Sequence, residues 1–494
     1  MSNIRIVDSS ARDGIQSLWA VRLTGPELLS IAPVMDRVGF EGIEFGGPTI
    51  WQYFARFLKE DGWERLRTLV ELTPNTPMTM WIRSRGIHDF SSTPKPHDLA
   101  RLWITRWAEC GVRRMVFLEE ENDYGNIPEL TKHAKSLGMQ VIVPVMYSLS
   151  PVHTPEHYVE RARAAVAAGA DIIEIKDQSG LLTPETTRWF VKAIQEGADG
   201  KADFQFQGHC SGGLGQMNSV EALKLGVTMF RCCVPPLSEG NSLPNAFTLV
   251  RNAEFLGHSS SLDLEAMQEM SDHFMYVAKK EGLLIGAPLE HDVALYDHHI
   301  PGGVQATLRW QLAQLKAEHR YQEVLAETAR VRKDMGYPIM VTPTSQFIVA
   351  QATMNVLGGE PYANICDEVI EKIVLKSTVP PPGEVDPGLM DKIMSLPRTH
   401  EILERAQNQK EVTLDEMRSQ FDSSLSDDDF LMRVQMNAEY YDAARGNPAS
   451  TAYPKGSPVM VLLEELMQRK RSFIQVSAGD LSVSLRGGQD GGAA

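Results

Sequence analysis

The stretch Asp171-Ile-Ile-Glu-Ile-Lys176-Asp177 reads as a buried strand closed by charged residues. It is followed by a helical segment over 184–196 and a second strand over 203–208. Outward from this unit, the alternation recurs through the first 235 residues, with candidate strands at 4–8, 42–45, 78–82, 114–118, 141–145 and 227–232. Helical segments fall between them at 24–38, 51–72 and 155–168. Strands spaced about one βα unit apart favour a closed parallel barrel over an open doubly wound sheet. An open sheet with a phosphate-binding turn needs GxGxxG or a Walker pattern after its first strand, and neither is there. The expected class is α/β, a (β/α)8 TIM barrel followed by a mostly helical domain and a short C-terminal tail.

At 494 residues the chain exceeds the roughly 250 that one barrel needs. Beyond the barrel, 261–354 is helical and polar, broken by His298-His299-Ile300-Pro301-Gly302-Gly303. A stiff connector occupies 380–387 (PPPGEVDP), and 447–458 (NPASTAYPKGSP) reads as a flexible linker. The implied division is a barrel domain over 1–285, a helical domain over 286–446, and a linker with a partner-docking tail over 447–494. The Gly-rich end over 487–494 is expected to be disordered.

The balance of 48 basic against 64 acidic residues gives −16, which argues against a nucleic-acid or anionic-membrane surface. Five cysteines in a chain of this length are no disulfide framework and fit a reducing compartment. No signal-peptide pattern opens the chain, and no apolar run approaches the ~20 residues that span a bilayer. A cytoplasmic protein with no membrane-spanning segment is the expectation.

In such a barrel the active site lies where the strands end. The polar residues closing the strands are Asp8 (then Arg12, Asp13 and Gln16), Glu44, Arg83 (then Arg85), Glu119, Lys176-Asp177, and Gln207 with His209. Charged and metal-capable groups are thus enriched at one rim. Asp8, Lys176 and His209 could converge on a divalent cation, but a protonated lysine ligates nothing unless it is altered, for instance to a carbamate. The plain alternative for Lys176 is an ion pair with Asp13 or Asp177, and His209 alone fits a structural histidine. Arg83, with its planar fork, suits a substrate carboxylate, or else pairs with Glu44 or Glu119. Gly212-Gly213-Leu214-Gly215 is explained as well by close backbone packing as by anion binding. Cys210, next to His209 on an extended segment, points away from it.

The opening Asp8-Ser-Ser-Ala-Arg12-Asp13-Gly-Ile-Gln16-Ser17 resembles that of the carboxyltransferase domain of pyruvate carboxylase and of the oxaloacetate decarboxylase alpha subunit. The resemblance continues through Glu44-Phe-Gly-Gly47, Ile82-Arg83, Pro151-Val-His-Thr154, Ile175-Lys176-Asp177-Gln-Ser-Gly, Ile300-Pro-Gly-Gly303 and Gly336-Tyr-Pro-Ile-Met-Val-Thr342-Pro-Thr-Ser-Gln346, in order over roughly 390 residues. It implies a divalent metal (Mn, Zn or Mg) held by Asp8, a carboxylated Lys176 and two positions of an HxH motif, here Gln207 and His209. Arg83 would hold the substrate carboxylate, with Gln16 by the keto group and Arg12 beside them. Thr342 would shuttle a proton between the substrate methyl group and biotin, with Lys176 and Asp13 as further catalytic groups. The helical domain becomes a funnel-shaped body that supplies Thr342 and supports a homodimer or larger assembly.

Three departures stand out. Gln207 replaces the first histidine of HxH, a neutral oxygen donor that favours harder metals and weaker binding. The loop the family writes Glu-His-Glu-Met-Pro-Gly-Gly-Gln is Asp297-His298-His299-Ile300-Pro301-Gly302-Gly303-Val304 here, and Gln346 replaces a lysine. No Ala-Met-Lys-Met sequence occurs, so biotin is expected on a separate biotin carboxyl carrier protein, with a biotin carboxylase subunit as a further partner. The expected substrate is a small 2-oxo acid such as pyruvate or oxaloacetate. Two other readings remain: a metal-dependent acyl-CoA lyase or condensing enzyme of the same superfamily, and a metal-less scaffold subunit.

Overall fold

The computed structural model describes residues 2–84, 97–375, 379–408, 412–453, 466, 473–478 and 481–486. Strands β1 (Asn3–Asp8), β2 (Gly42–Gly46), β3 (Met78–Ile82), β4 (Arg114–Phe117), β5 (Gln140–Met146), β6 (Ile172–Asp177), β7 (Asp203–Gly208) and β8 (Met229–Cys232) follow one another in parallel. β8 pairs with β1, and β1 with β2, so the sheet closes into a barrel. β2, β3 and β6 are buried along their whole length. That is why most of their residues are apolar rather than alternating with polar ones: a parallel sheet has its outer face under helices and its inner face in the barrel.

Charges also sit inside. Arg231 on β8 lies between Glu44 on β2 and Glu174 on β6, at 2.6 and 2.7 Å, all three buried. A buried guanidinium of this kind is tolerated because carboxylates neutralise it.

The helices begin where the sequence provides caps. Thr154 accepts a bond from His157 N ahead of the helix Pro155–Ala167, and Thr183 from Thr186 N ahead of Pro184–Ala198. Two predicted helices are broken. The segment 24–38 splits into Gly25–Leu29 and Ala32–Arg37, because Pro33 brings no N–H to the ladder and suits only a first turn. The segment 51–72 splits into Pro48–Tyr53, a π-turn Phe54–Leu58, and Gly62–Leu72, which starts afresh at the Asp61 cap after Lys59 turns left-handed.

A second apolar core, from Ile300 to Ile402, belongs to the helical region beyond the barrel. The segment 412–453, which spans the expected end of the helical domain (to 446) and the start of the linker (from 447), packs on the barrel instead. Phe430, Leu431, Met432 and Tyr441 are part of the barrel's core, and Asp428 takes a 2.7 Å bond from Arg106 Nε. In the tail, Phe473–Ala478 and Leu481–Arg486 form an antiparallel hairpin. Arg85, residues 454–465 of the linker and docking segment, and the Gly-rich end lie outside the described residues. Among the described residues, no helix is long and apolar enough to cross a membrane.

Candidate active site

After β1 the chain winds into a π-turn, Ser10–Gly14, that is wholly buried and swings Arg12 and Asp13 over the barrel mouth. Asp13 is the hub there. Its Oδ2 accepts from Arg12 Nη1 at 2.7 Å and Gln207 Nε2 at 2.8 Å and lies 3.4 Å from His209 Nε2, while Oδ1 accepts from Ser17 Oγ at 3.0 Å. Burial alone would raise its pKa, but the charges of His209 and Arg12 hold the carboxyl well below the usual range.

Strand register supplies the facing side. Lys176 on β6 pairs with Gln207 on β7, and Lys176 Nζ donates to Gln207 Oε1 and lies 3.4 Å from Glu174 Oε1. Burial lowers the Lys176 pKa, only partly countered by Glu174. His209 Nδ1 meets Asn241 O at 2.8 Å, which as an N–H donor leaves Nε2 facing Asp13. Burial works against the charged ring, yet Asp13 raises its pKa overall.

The structure separates two groups of the predicted set from this cluster. Asp8 ends β1 with its side chain turned back on the π-turn: Oδ1 accepts from Ser10 N and Ser10 Oγ, at 3.2 and 2.6 Å. Its Oδ2 is buried without a hydrogen-bond partner among the described residues, and burial pushes the carboxyl up to about 7. No hydrogen bond or ion pair joins Asp8 to Lys176, Gln207 or His209; the carboxylate brought to them is that of Asp13. Gln16, in the short helix Ile15–Leu18, is exposed, with no hydrogen bond to the other site residues. Asp177 accepts from Leu181 N and Leu182 N at 2.9 and 2.7 Å, so it closes a loop rather than pairing with Lys176. Cys210 is buried, its N bonded to Ser242 O at 2.8 Å. At Gly212 a Cβ would lie 2.1 Å from Gly180 O, so close backbone approach accounts for this glycine.

The second half of the site lies where the helical region meets the barrel. Arg83, just past β3, is 7% exposed. Its Nη1 donates to Glu120 Oε1 at 2.8 Å and Nη2 donates to the backbone carbonyl of Thr342, while Nε is buried without a partner among the described residues. Thr342 itself is exposed. The partners that the sequence offers as the alternative to a substrate carboxylate, Glu44 and Glu119, are taken elsewhere: Glu44 by Arg231 and Ser9, and Glu119 by Ser84 N and Oγ at 2.7 and 2.8 Å. Glu121 Oε2 accepts from Ile339 N at 2.9 Å, and Arg332 Nη2 donates to Ser148 Oγ at 2.9 Å, so several polar contacts fasten the loop carrying Thr342. Glu120, Glu121, Asn241, Arg332 and Lys372 went unnoticed in the sequence. The run Glu119-Glu120-Glu121 at a strand end was the one available signal.

Among the described residues, no three His, Cys, Asp or Glu side chains gather as a metal cluster. The donors that do meet are Asp13, His209 Nε2 and the amide of Gln207, a carboxylate, an imidazole and a neutral oxygen donor that suit a divalent cation. Lys176 beside them can join only as a carbamate.

Two families match the chain: one described as HMGL-like over residues 3–273, and one described as Conserved carboxylase domain over 295–467. A pyruvate carboxylase subunit of Methanocaldococcus jannaschii is 35% identical over 79% of this chain and 68% of its own length. The corresponding pyruvate carboxylase subunit of Methanothermobacter thermautotrophicus is 37% identical over 75% and 64%. The 2-oxoglutarate carboxylase large subunit of Hydrogenobacter thermophilus is 31% identical over 79% and 60%. The chain thus spans about two thirds of the length of these relatives. In fold, the carboxyl transferase domain from Rhizobium etli pyruvate carboxylase, solved with oxamate and biotin, superposes with a TM-score of 0.80 at 22% identity, covering 91% of this chain and 79% of that one. The chain belongs to the biotin-dependent carboxyltransferase family that includes these pyruvate carboxylase subunits.

Proposed function

We propose that this chain is the carboxyltransferase subunit of a biotin-dependent carboxylase or decarboxylase, moving a carboxyl group between the biotin of a carrier protein and a small 2-oxo acid such as pyruvate or oxaloacetate. The observation that carries this reading is the bond from Arg83 to the Thr342 carbonyl, which brings the backbone of an exposed threonine against a buried guanidinium. Arg83 binds the substrate carboxylate through its guanidinium, a charge-assisted contact that fixes the keto acid in orientation. The Thr342 hydroxyl, reachable from solvent, passes a proton between the substrate methyl group and biotin. Arg12 and Gln16 border the substrate, and Asp13 holds Arg12 and His209 in place.

Bound biotin supplies the activated carboxyl group, and a divalent cation supplies a Lewis acid for the keto oxygen. Asp13, His209 and Gln207 are the residues that would hold the cation, with Lys176 as carbamate. Gln207 in place of histidine favours Mg²⁺ or Mn²⁺ over Zn²⁺. The family relationship supports a biotin carrier and a biotin carboxylase subunit as partners, a homodimer or larger assembly, and a cytoplasmic setting.

The test is carboxyl exchange by the purified chain between oxaloacetate and free biotin. Exchange that requires biotin is expected; none with any 2-oxo acid tried would sink the reading. The HMGL-like match over the barrel favours acyl-CoA cleavage as the second reading, and cleavage without biotin would promote it.

A further inference from the structure

Asp8 and Asp13 are close in sequence, yet the barrel wall divides their side chains. Arg231, Glu44 and Glu174 meet across the barrel, so all three point inward. Side chains alternate along a strand, and laterally paired residues share a face. Lys176, two residues after Glu174, is therefore inward, with Gln207 beside it. Val7 pairs with Arg231 and is inward as well, whereas Asp8 pairs with Cys232 and Ile43 and faces the outer layer. Its carboxylate is turned away from the cluster of Lys176, Gln207 and His209.

What Asp8 does hold is the π-turn. Its Oδ1 accepts from Ser10 N at 3.2 Å and from Ser10 Oγ at 2.6 Å, and Ser10 Oγ in turn accepts from Val234 N at 2.9 Å. Val234 lies just past β8, so one serine hydroxyl ties the segments after the first and last strands to a single oxygen. Asp8, Ser10 and Val234 are all buried. The turn's own bonds, from Arg12 N, Asp13 N and Gly14 N to Ser9 O at 3.2, 2.8 and 3.0 Å, set its shape but not its place. Its place is set by Ser10, by Ser9 N on Cys232 O at 2.9 Å, and by Ser9 Oγ, which donates to Glu44. At Gly14 a Cβ would come within 2.9 Å of Leu237 Cβ, so the turn lies directly on the segment after β8.

We propose that Asp8 is a positioning residue: through Ser10 it fixes the π-turn against the segment after β8 and so sets where Arg12 and Asp13 stand over the barrel mouth. This rests on the reading of Asp13 as a cation holder. Only Oδ1 carries the link, since Oδ2 is buried without a hydrogen-bond partner among the described residues. An asparagine keeps Oδ1 and keeps the turn in place, whereas alanine releases Ser10. A metal-ligating carboxylate behaves the other way, because an amide loses the charge that holds a hard cation. Ser9 still anchors the turn when Asp8 is lost, so the turn loosens rather than unfolds. One buried hydrogen-bonded link corresponds to roughly a tenfold change in an equilibrium.

The experiment combines amide hydrogen exchange read by mass spectrometry with calorimetric titration of Mn²⁺. Both are run on the full chain carrying Asp8→Asn, Asp8→Ala, Ser10→Ala, the last two combined, and Asp13→Asn as the reference for a lost ligand. Asp8→Ala and Ser10→Ala should each speed exchange in the peptide over 9–15 about tenfold and weaken Mn²⁺ about tenfold. The combined variant should be no worse than either single one, because both remove the same link. Asp8→Asn should stay near native in both readings, while Asp13→Asn weakens Mn²⁺ by tenfold or more. A general packing role would instead spread faster exchange through β1 and β8. Ser10→Ala carries the test if Asp8→Ala does not fold. Asp8→Asn weakening Mn²⁺ as much as Asp13→Asn would make Asp8 a ligand and overturn the proposal. Additive losses in the combined variant, or native exchange over 9–15 in the single ones, would overturn it too. If the unaltered chain binds no Mn²⁺, the cation reading falls, and exchange over 9–15 in the same variants still decides whether Asp8 holds the turn.

Discussion

Two regions of the molecule meet at one rim but are built on different terms. The cluster of Lys176, Gln207, His209 and Asp13 lies entirely within the barrel, and its geometry follows from strand register: β6 against β7 sets Lys176 opposite Gln207. The junction of Arg83, Glu120, Thr342 and Lys372 is assembled across the chain, with Arg83 reaching a carbonyl 259 residues away. The first region is buried and closed by its own bonds. The second joins buried charge to the backbone of an exposed threonine. On the proposed function the contrast is a division of labour: the barrel fixes charge in place, and the helical region would bring the group that moves a proton.

The largest expected effect falls on the proton-moving side. Thr342→Ala should lower kcat for exchange by about a thousandfold, in the range of lost proton transfer. Because Thr342 is exposed, the melting temperature should stay within the small change typical of surface sites. A kcat within a few-fold of native would dissolve the distinction between the two regions. Next is Arg83→Lys, which keeps the charge but loses the fork; kcat/KM for the 2-oxo acid should fall by about thirtyfold, read in the same assay.

On the barrel side, Gln207→His should tighten divalent-cation affinity about tenfold and shift preference toward Zn²⁺, measured by calorimetric titration. Equal affinities in the two proteins would show that this position is not a donor.

The smallest effect concerns stability at the junction. Burial raises the Glu119 carboxyl to about 7, partly offset by its bonds from Ser84. The folded chain therefore binds this proton more tightly than the unfolded chain. Its contribution to stability is present at low pH and is lost as pH rises from about 4.5 to about 7, up to roughly 3 kcal/mol in all. In Glu119→Gln this part of the slope should vanish from denaturant unfolding curves taken across that interval. An unaltered slope would assign the pH dependence to other groups.

The same contrast explains what was legible in the sequence. The barrel could be read because its buried strands leave largely apolar runs at regular spacing, and the rim because most of these runs end on a charged or polar group. Arg83, Lys176 and His209 were found that way. Asp8 and Asp13 could not be told apart, since the choice depends on the π-turn at Ser10–Gly14, which folds Asp13 over the mouth and leaves Asp8 bonded to Ser10. The family resemblance placed the metal carboxylate at Asp8; the turn brings Asp13 to the other donors. Lys372 left no signal at all. It is one lysine on a helix of eight residues, and its partner Glu120 lies 252 positions earlier. The return of 412–453 to the barrel was equally hidden, because Phe430 and Tyr441 have the same apolar character whichever core they enter.

The most direct test of the central claim, that Arg83 and Thr342 form one substrate-binding and proton-moving unit, is deuterium uptake into the methyl group of pyruvate in heavy water with free biotin present. The native chain should incorporate deuterium only when biotin is added, and Thr342→Ala should not, while still binding pyruvate with native affinity. Equal incorporation by Thr342→Ala would contradict the account.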